Sequence, residues 1–113
     1  MGPFMHLLLI AAALSNQLWF ETQQQNDALM ITPMATLIDD CDCHLTINVV
    51  HQGPAGKSNS SQSGDVSIKG QHPQPLASMV LSVPQGEWTQ ITVILSNHQG
   101  VLLQQSWSSA TRV

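Results

Sequence analysis

The chain has 113 residues and a formal net charge of −4, with seven acidic side chains set against Lys57, Lys69 and Arg112. Three scattered cations assemble no basic patch, which argues against nucleic-acid binding and against an amphipathic hold on an anionic membrane surface. Only 9% of residues are charged and Gln, Ser, Thr and Asn fill the polar positions, yet 42% hydrophobic content suffices for one core in one domain.

Leu7 to Leu14 is an apolar run too short to cross a bilayer, with Ala11-Ala12-Ala13 offering a small-residue cleavage site before Ser15 and Asn16. His6 stands where Lys or Arg would be expected. Residues 1–15 are read as an export signal cut near Leu14, which leaves no segment for membrane insertion after processing. Residues 16–109 are read as the domain and 110–113 as a disordered tail.

Leu18 to Thr22 and Leu29 to Thr32 read as strands joined by the polar link Gln23 to Asp27. Pro33 removes a ladder donor, so Met34 to Ile38 is predicted to be a separate or bent strand at a sheet edge. Cys41, Cys43, Leu45, Ile47 and Val49 then alternate with Asp42, His44, Thr46 and Asn48, the period of a half-buried antiparallel strand. His51 to Gly64 is rich in Gly, Ser and Asn and reads as a mobile loop, followed by a short strand from Asp65 to Lys69.

Leu76 to Val83 reads as a strand ended by the turn Pro84-Gln85-Gly86. Trp88 opens a strand through Ile91, Val93 and Leu95, and Asn97-His98-Gln99-Gly100 reads as a hairpin loop leading into Val101 to Trp107. About seven short strands with no helical period predict an all-β fold, an immunoglobulin-like β-sandwich of antiparallel strands.

Cys41-Asp42-Cys43 is the most distinctive chemical feature. Alternate residues of a regular strand lie roughly 6.5–7 Å apart, so a disulfide between them needs a local bend or bulge. A ring this small stabilises the fold by roughly 1.5 kcal/mol at most. The pair reads either as a labile redox centre or as two small apolar residues on a buried strand face. Copper ligation by Cys41, Cys43, His44 and methionines is disfavoured, because Cys43 and His44 point to opposite faces. Asp39, Asp40 and Asp42 read as solvated turn acids, and Trp19, Trp88 and Trp107 as core or sheet-edge anchors. No hydrolase, zinc or phosphate-loop motif is present, so no catalytic residue, metal site or cofactor is assigned.

The order Ala12-Ala13-Leu14-Ser15, Phe20 with Thr22-Gln23-Gln24, Ile31-Thr32-Pro33, Thr36-Leu37, the Cys41-x-Cys43 strand, the polar stretch from Gly53 to Ser63 and Gln104-Gln105-Ser106-Trp107 resembles the CsgC family of curli assembly proteins. The resemblance covers nearly the whole chain. It implies a periplasmic, immunoglobulin-like, ATP-independent chaperone that keeps the unfolded curlin subunit, major and minor forms, from premature amyloid formation. It also implies work beside the outer-membrane secretion pore, with the C-x-C pair considered a redox centre. A monomer is expected.

Family activity is associated with basic residues on a sheet face, and His44 and His51 stand here where such cations would be expected. The client-binding candidates are therefore His44, Thr46, Asn48, His51, Lys57 and Lys69, with the histidines gaining charge in mild acid. The alternative is a thiol–disulfide oxidoreductase acting through Cys41 and Cys43 on secretion components.

Overall fold

The computed structural model describes residues 15–109. The expected leader, Ser15 apart, and the expected tail lie outside them. Eight strands follow in order: β1 (Gln17–Gln25), β2 (Ala28–Thr36), β3 (Cys41–Gly53), β4 (Gly56–Ile68), β5 (Gln74–Pro75), β6 (Met79–Leu81), β7 (Trp88–Ser96) and β8 (Leu102–Ser108). They form two antiparallel sheets, and no helix occurs among the described residues. The all-β expectation holds, and the two-sheet arrangement fits an immunoglobulin-like sandwich.

The smaller sheet is built on β2, with β1 on one side and β5 and β6 end to end on the other. The link predicted between the first strands shortens to a turn at Asn26-Asp27, where Asn26 takes a positive φ of 55°. Asparagine tolerates that left-handed region better than most residues. Pro33 does not divide β2, which pairs with β1 from Ala28 to Thr36 without a break. Its effect falls on the other side instead. Met79–Leu81 bonds Leu29–Ile31, and Gln74–Pro75 bonds Met34–Ala35, so the third strand is split opposite Pro33. Pro33 has no N–H to offer there, although its C=O still accepts the Leu76 N–H at 2.8 Å. The strand expected from Leu76 to Val83 is reduced to Met79–Leu81.

The larger sheet has the order β4-β3-β7-β8. Here the mobile loop expected between His51 and Gly64 is replaced by a long hairpin. β3 and β4 are 13 residues each, and they pair continuously from Cys41 with Ile68 to Gly53 with Gly56 across the turn Pro54-Ala55. The short strand expected from Asp65 is only the end of β4. Serine and glycine suffice because β4 from Gly56 to Asp65 is exposed and has no core to fill. The hairpin loop expected at Asn97 to Gly100 is present. Asn97 Oδ1 accepts the Gln99 and Val101 N–H groups at 2.9 Å, and Gly100 takes a φ of 107°.

The core lies between the sheets. Ile91, Val93 and Leu95 of β7 and Cys41, Cys43 and Ile47 of β3 meet Leu18, Ile31, Ala35 and Leu37, with Ile68 joining from β4. Full burial of such aliphatic side chains stabilises by about 1.5–3 kcal/mol each. The sheets are also tied by the turn after β4. Gln71 N–H donates to Leu37 O at 2.7 Å, and Gly70 N–H donates to Asp40 Oδ1 at 2.8 Å.

Gly70 lies so close to the Asp39–Asp40 backbone that an added Cβ would sit 2.7 Å from the Asp39 carbonyl carbon. Gly70→Ala is expected to cost about 1–3 kcal/mol, as overpacking against main chain generally does. Denaturant unfolding at unchanged β-type circular dichroism measures it.

Candidate functional site

Strand alternation sorts the candidate residues. His44, Thr46 and Asn48 point away from the core on the outer face of the larger sheet, and the register gives each its neighbours. Asn48 lies between Ser61 of β4 and Thr92 of β7, with Ser106 of β8 beyond. Thr92 and Ser106 join their hydroxyls at 2.9 Å. Thr46 lies between Ser63 and Ile94, with Gln104 beyond. The face is thus mainly hydroxyls and amides, interrupted by Val50 and Ile94, with Trp88 and Leu102 nearer its ends, where its charges also gather. Lys57 belongs to it opposite Gln52, and at the other end His44 Nδ1 lies 3.2 Å from Asp65 Oδ1.

His51 does not join this group. Its odd number puts it on the inward face, past the core, where Nε2 lies 2.7 Å from Glu87 Oε1 and Nδ1 lies 2.8 Å from Thr89 Oγ1. Nε2–H donates to the Glu87 carboxylate, which can only accept, and Nδ1 shares a hydrogen bond with the Thr89 hydroxyl. Thr89 is buried and exchanges two bonds with Ser109. His51 thereby fastens β3 to β7 and to the segment before it. Lys69 stands beyond the end of β4, far along the hairpin from Lys57, with its N–H on Gln74 Oε1 at 3.3 Å.

Cys41 and Cys43 are joined by a disulfide, with their Cα atoms 5.4 Å apart. No bulge is needed to bring them together, since both stay in register with β4. β7 pairs with β3 only from His44 onward. The Cys segment is therefore held on one side and is free to contract below ordinary strand spacing. Both residues are buried, at 6% and 3% exposure, so the bridge itself forms part of the core. Asn97 Nδ2 reaches Cys41 Sγ at 3.5 Å. A shallow cleft of about 700 Å³ opens beside them, lined by Cys43, His44, Asp65, Asn97 and His98 among others.

The acidic turn is structural. Asp40 receives Gly70, Asp42 Oδ1 accepts the Ser67 hydroxyl at 3.0 Å, and no group of three potential metal ligands forms among the described residues. Trp107 packs against the core, whereas Trp19 and Trp88 alternate outward, Trp19 donating to Glu21 Oε2 at 3.3 Å. Sequence reasoning missed Glu87, Thr89 and Asn97 as partners. A polar Thr89 on the buried stripe of β7 was the one available signal.

Fold and site together define a two-sheet β-domain with a broad polar face and a small buried disulfide. The profile of the thin aggregative fimbriae synthesis family, Tafi-CsgC, matches residues 9–107. A curli assembly protein CsgC from Salmonella arizonae is 34% identical over 96% of this chain and 100% of its own length. Its Escherichia coli counterpart is 34% identical over 91% of this chain and 94% of its own. The chain belongs to the CsgC family. The solved E. coli curli protein CsgC superposes with a TM-score of 0.75 at 31% identity, covering 82% of this chain and 98% of that one. The solution structure of R. palustris CsgH shares the fold at a TM-score of 0.64 and 18% identity over 80% and 89% of the two chains.

Glu87→Ala is expected to destabilise the protein by about 1 kcal/mol, since it strips His51 Nε2–H of its acceptor while water can partly replace it. Chemical denaturation of the variant against wild type measures the loss.

Proposed function

We propose that this protein acts in curli assembly as a periplasmic, ATP-independent chaperone that holds the curlin subunit in a soluble, unstacked state. Family membership along nearly the whole chain supports the setting, and the relatives are named as assembly proteins rather than enzymes. The observation that carries the reading is the outer face around Thr46 and Asn48, mainly hydroxyls and amides with few charges and with Val50 and Ile94 set among them. Cross-β stacking draws on backbone pairing and on ladders of polar side chains. A face of like chemistry can engage an extended subunit for a short time without offering a dry interface to trap it. The secretion pore is the destination of a subunit held in this way.

The Cys41–Cys43 disulfide favours a second reading, thiol–disulfide exchange with envelope cysteines. A client thiolate would attack one sulfur and release the other as thiolate. Burial of both cysteines hinders that attack, which leaves exchange the lesser reading.

Amounts well below one molecule per curlin subunit are expected to lengthen the lag before fibril formation, followed by an amyloid-reporting dye. Thr46→Ala with Asn48→Ala is expected to shorten that delay at unchanged fold. An unaltered lag with wild-type protein would exclude the chaperone reading. The Cys41→Ser, Cys43→Ser double variant is expected to fold and keep most of its inhibition. Complete loss of inhibition with intact circular dichroism would favour exchange.

A further inference from the structure

β4 ends its sheet, so one of its sides has no strand beside it among the described residues. Which backbone groups face that side follows from the turn. Gly53 and Gly56 oppose one another across Pro54-Ala55. Pro54 lacks an N–H, so this pair is the closely bonded kind, each residue bonding the other. Alternation along the unbroken ladder turns the even-numbered residues of β4 toward β3. The N–H and C=O groups of Lys57, Asn59, Ser61, Ser63, Asp65 and Ser67 therefore face outward.

Contacts at the far end agree with this assignment. Ser67 C=O accepts Gln74 Nε2 at 3.0 Å from outside the ladder, and Gln74 Oε1 accepts the Lys69 N–H at 3.3 Å. Gln74 closes that end of the edge, so the open stretch is bounded by Lys57 and Asp65.

Natural edge strands are guarded by charge, proline or a bulge. Between its two charged ends this one runs Ser58-Asn59-Ser60-Ser61-Gln62-Ser63-Gly64, without charge, proline or a break in register. We propose that the edge is a self-association surface, on which β4 pairs antiparallel with β4 of a second copy about a twofold axis at Ser61. The charges select this arrangement. Lys57 then faces Asp65 of the second copy at each end, Asn59 faces Ser63, and Ser61 faces itself. All of these residues turn their backbone groups outward. A parallel pairing in register would instead set Lys57 beside Lys57 and Asp65 beside Asp65, which like charges disfavour.

The Asp65 side chain is 94% exposed and can reach a lysine across the seam. Such an interface is isologous and closes at two molecules, as a twofold interface must. Each sheet then continues into the other, and the exposed edge is covered. The inference departs from the monomer expected from sequence and does not rest on the chaperone reading.

Sedimentation velocity over a concentration series tests it, with no client present. Wild type is expected to pass from monomer to dimer, and less readily in high salt. Lys57→Glu is expected to weaken dimerisation by about tenfold or more, since it opposes two acids at each end of the seam. The swapped variant Lys57→Asp with Asp65→Lys is expected to restore it. Ser61→Cys is expected to yield a covalent dimer on mild oxidation, because a closely bonded antiparallel pair spans about 5.5 Å, within disulfide reach. A cysteine placed by Gln23→Cys on the other sheet is expected to give none. Wild type that stays monomeric throughout, a swap that fails to restore what the single reversal removed, or equal cross-linking at both positions would each overturn the proposal.

Discussion

β3 is hydrogen-bonded on both sides, to β4 along its whole length and to β7 from His44 to Gln52. Most of what distinguishes this protein depends on that double ladder. It holds a 13-residue strand extended along its whole length, and so lets β4 from Gly56 to Asp65 stay in register although it is exposed. It also fixes which residues face out. With period two imposed from both neighbours, Thr46 and Asn48 cannot turn inward without carrying Ile47 to water. The polar lattice on one side and the apolar stripe on the other are two consequences of one constraint.

Where a ladder partner is missing, the local structure changes in a definite way. At Cys41 and Cys43 the second neighbour of β3 has ended, and the backbone contracts enough for adjacent inward side chains to be bridged. At Pro33 the missing group is a single N–H, and the cost is displaced onto the partner, whose strand divides into β5 and β6 while β2 runs on. Both sites show backbone pairing overriding the local preference of the residues involved. The disulfide adds little restraint for so small a ring, and its neighbours supply the burial.

On the proposed chaperone role, a client laid across Ser61, Asn48, Thr92 and Ser106 would exchange bonds to water for bonds to hydroxyls and amides, a small net gain per bond that suits transient contact. His51, Glu87 and Thr89 serve a different end. They close the open side of the hairpin's far half against β7, and they remove His51 from any face it might share with His44.

The alternation from Cys41 to Val49, the buried stripe of β7 and the Asn97–Gly100 turn were all legible in the sequence. Each depends on neighbours in the chain: side-chain period, burial of every second residue, and a glycine where a positive φ is required. The residues that carry the family resemblance were legible for a similar reason, since they stand in a fixed order along the chain. The strand from Gly56 to Asp65 was not, because Ser, Asn and Gly have low strand preference and are extended here only through pairing with β3. Nor could sequence show that Pro33 would break its neighbour rather than itself, that His51 would meet Glu87, or that β4 would end a sheet. Those outcomes depend on which strands lie side by side and which are left without a neighbour, and packing of the whole chain alone decides that.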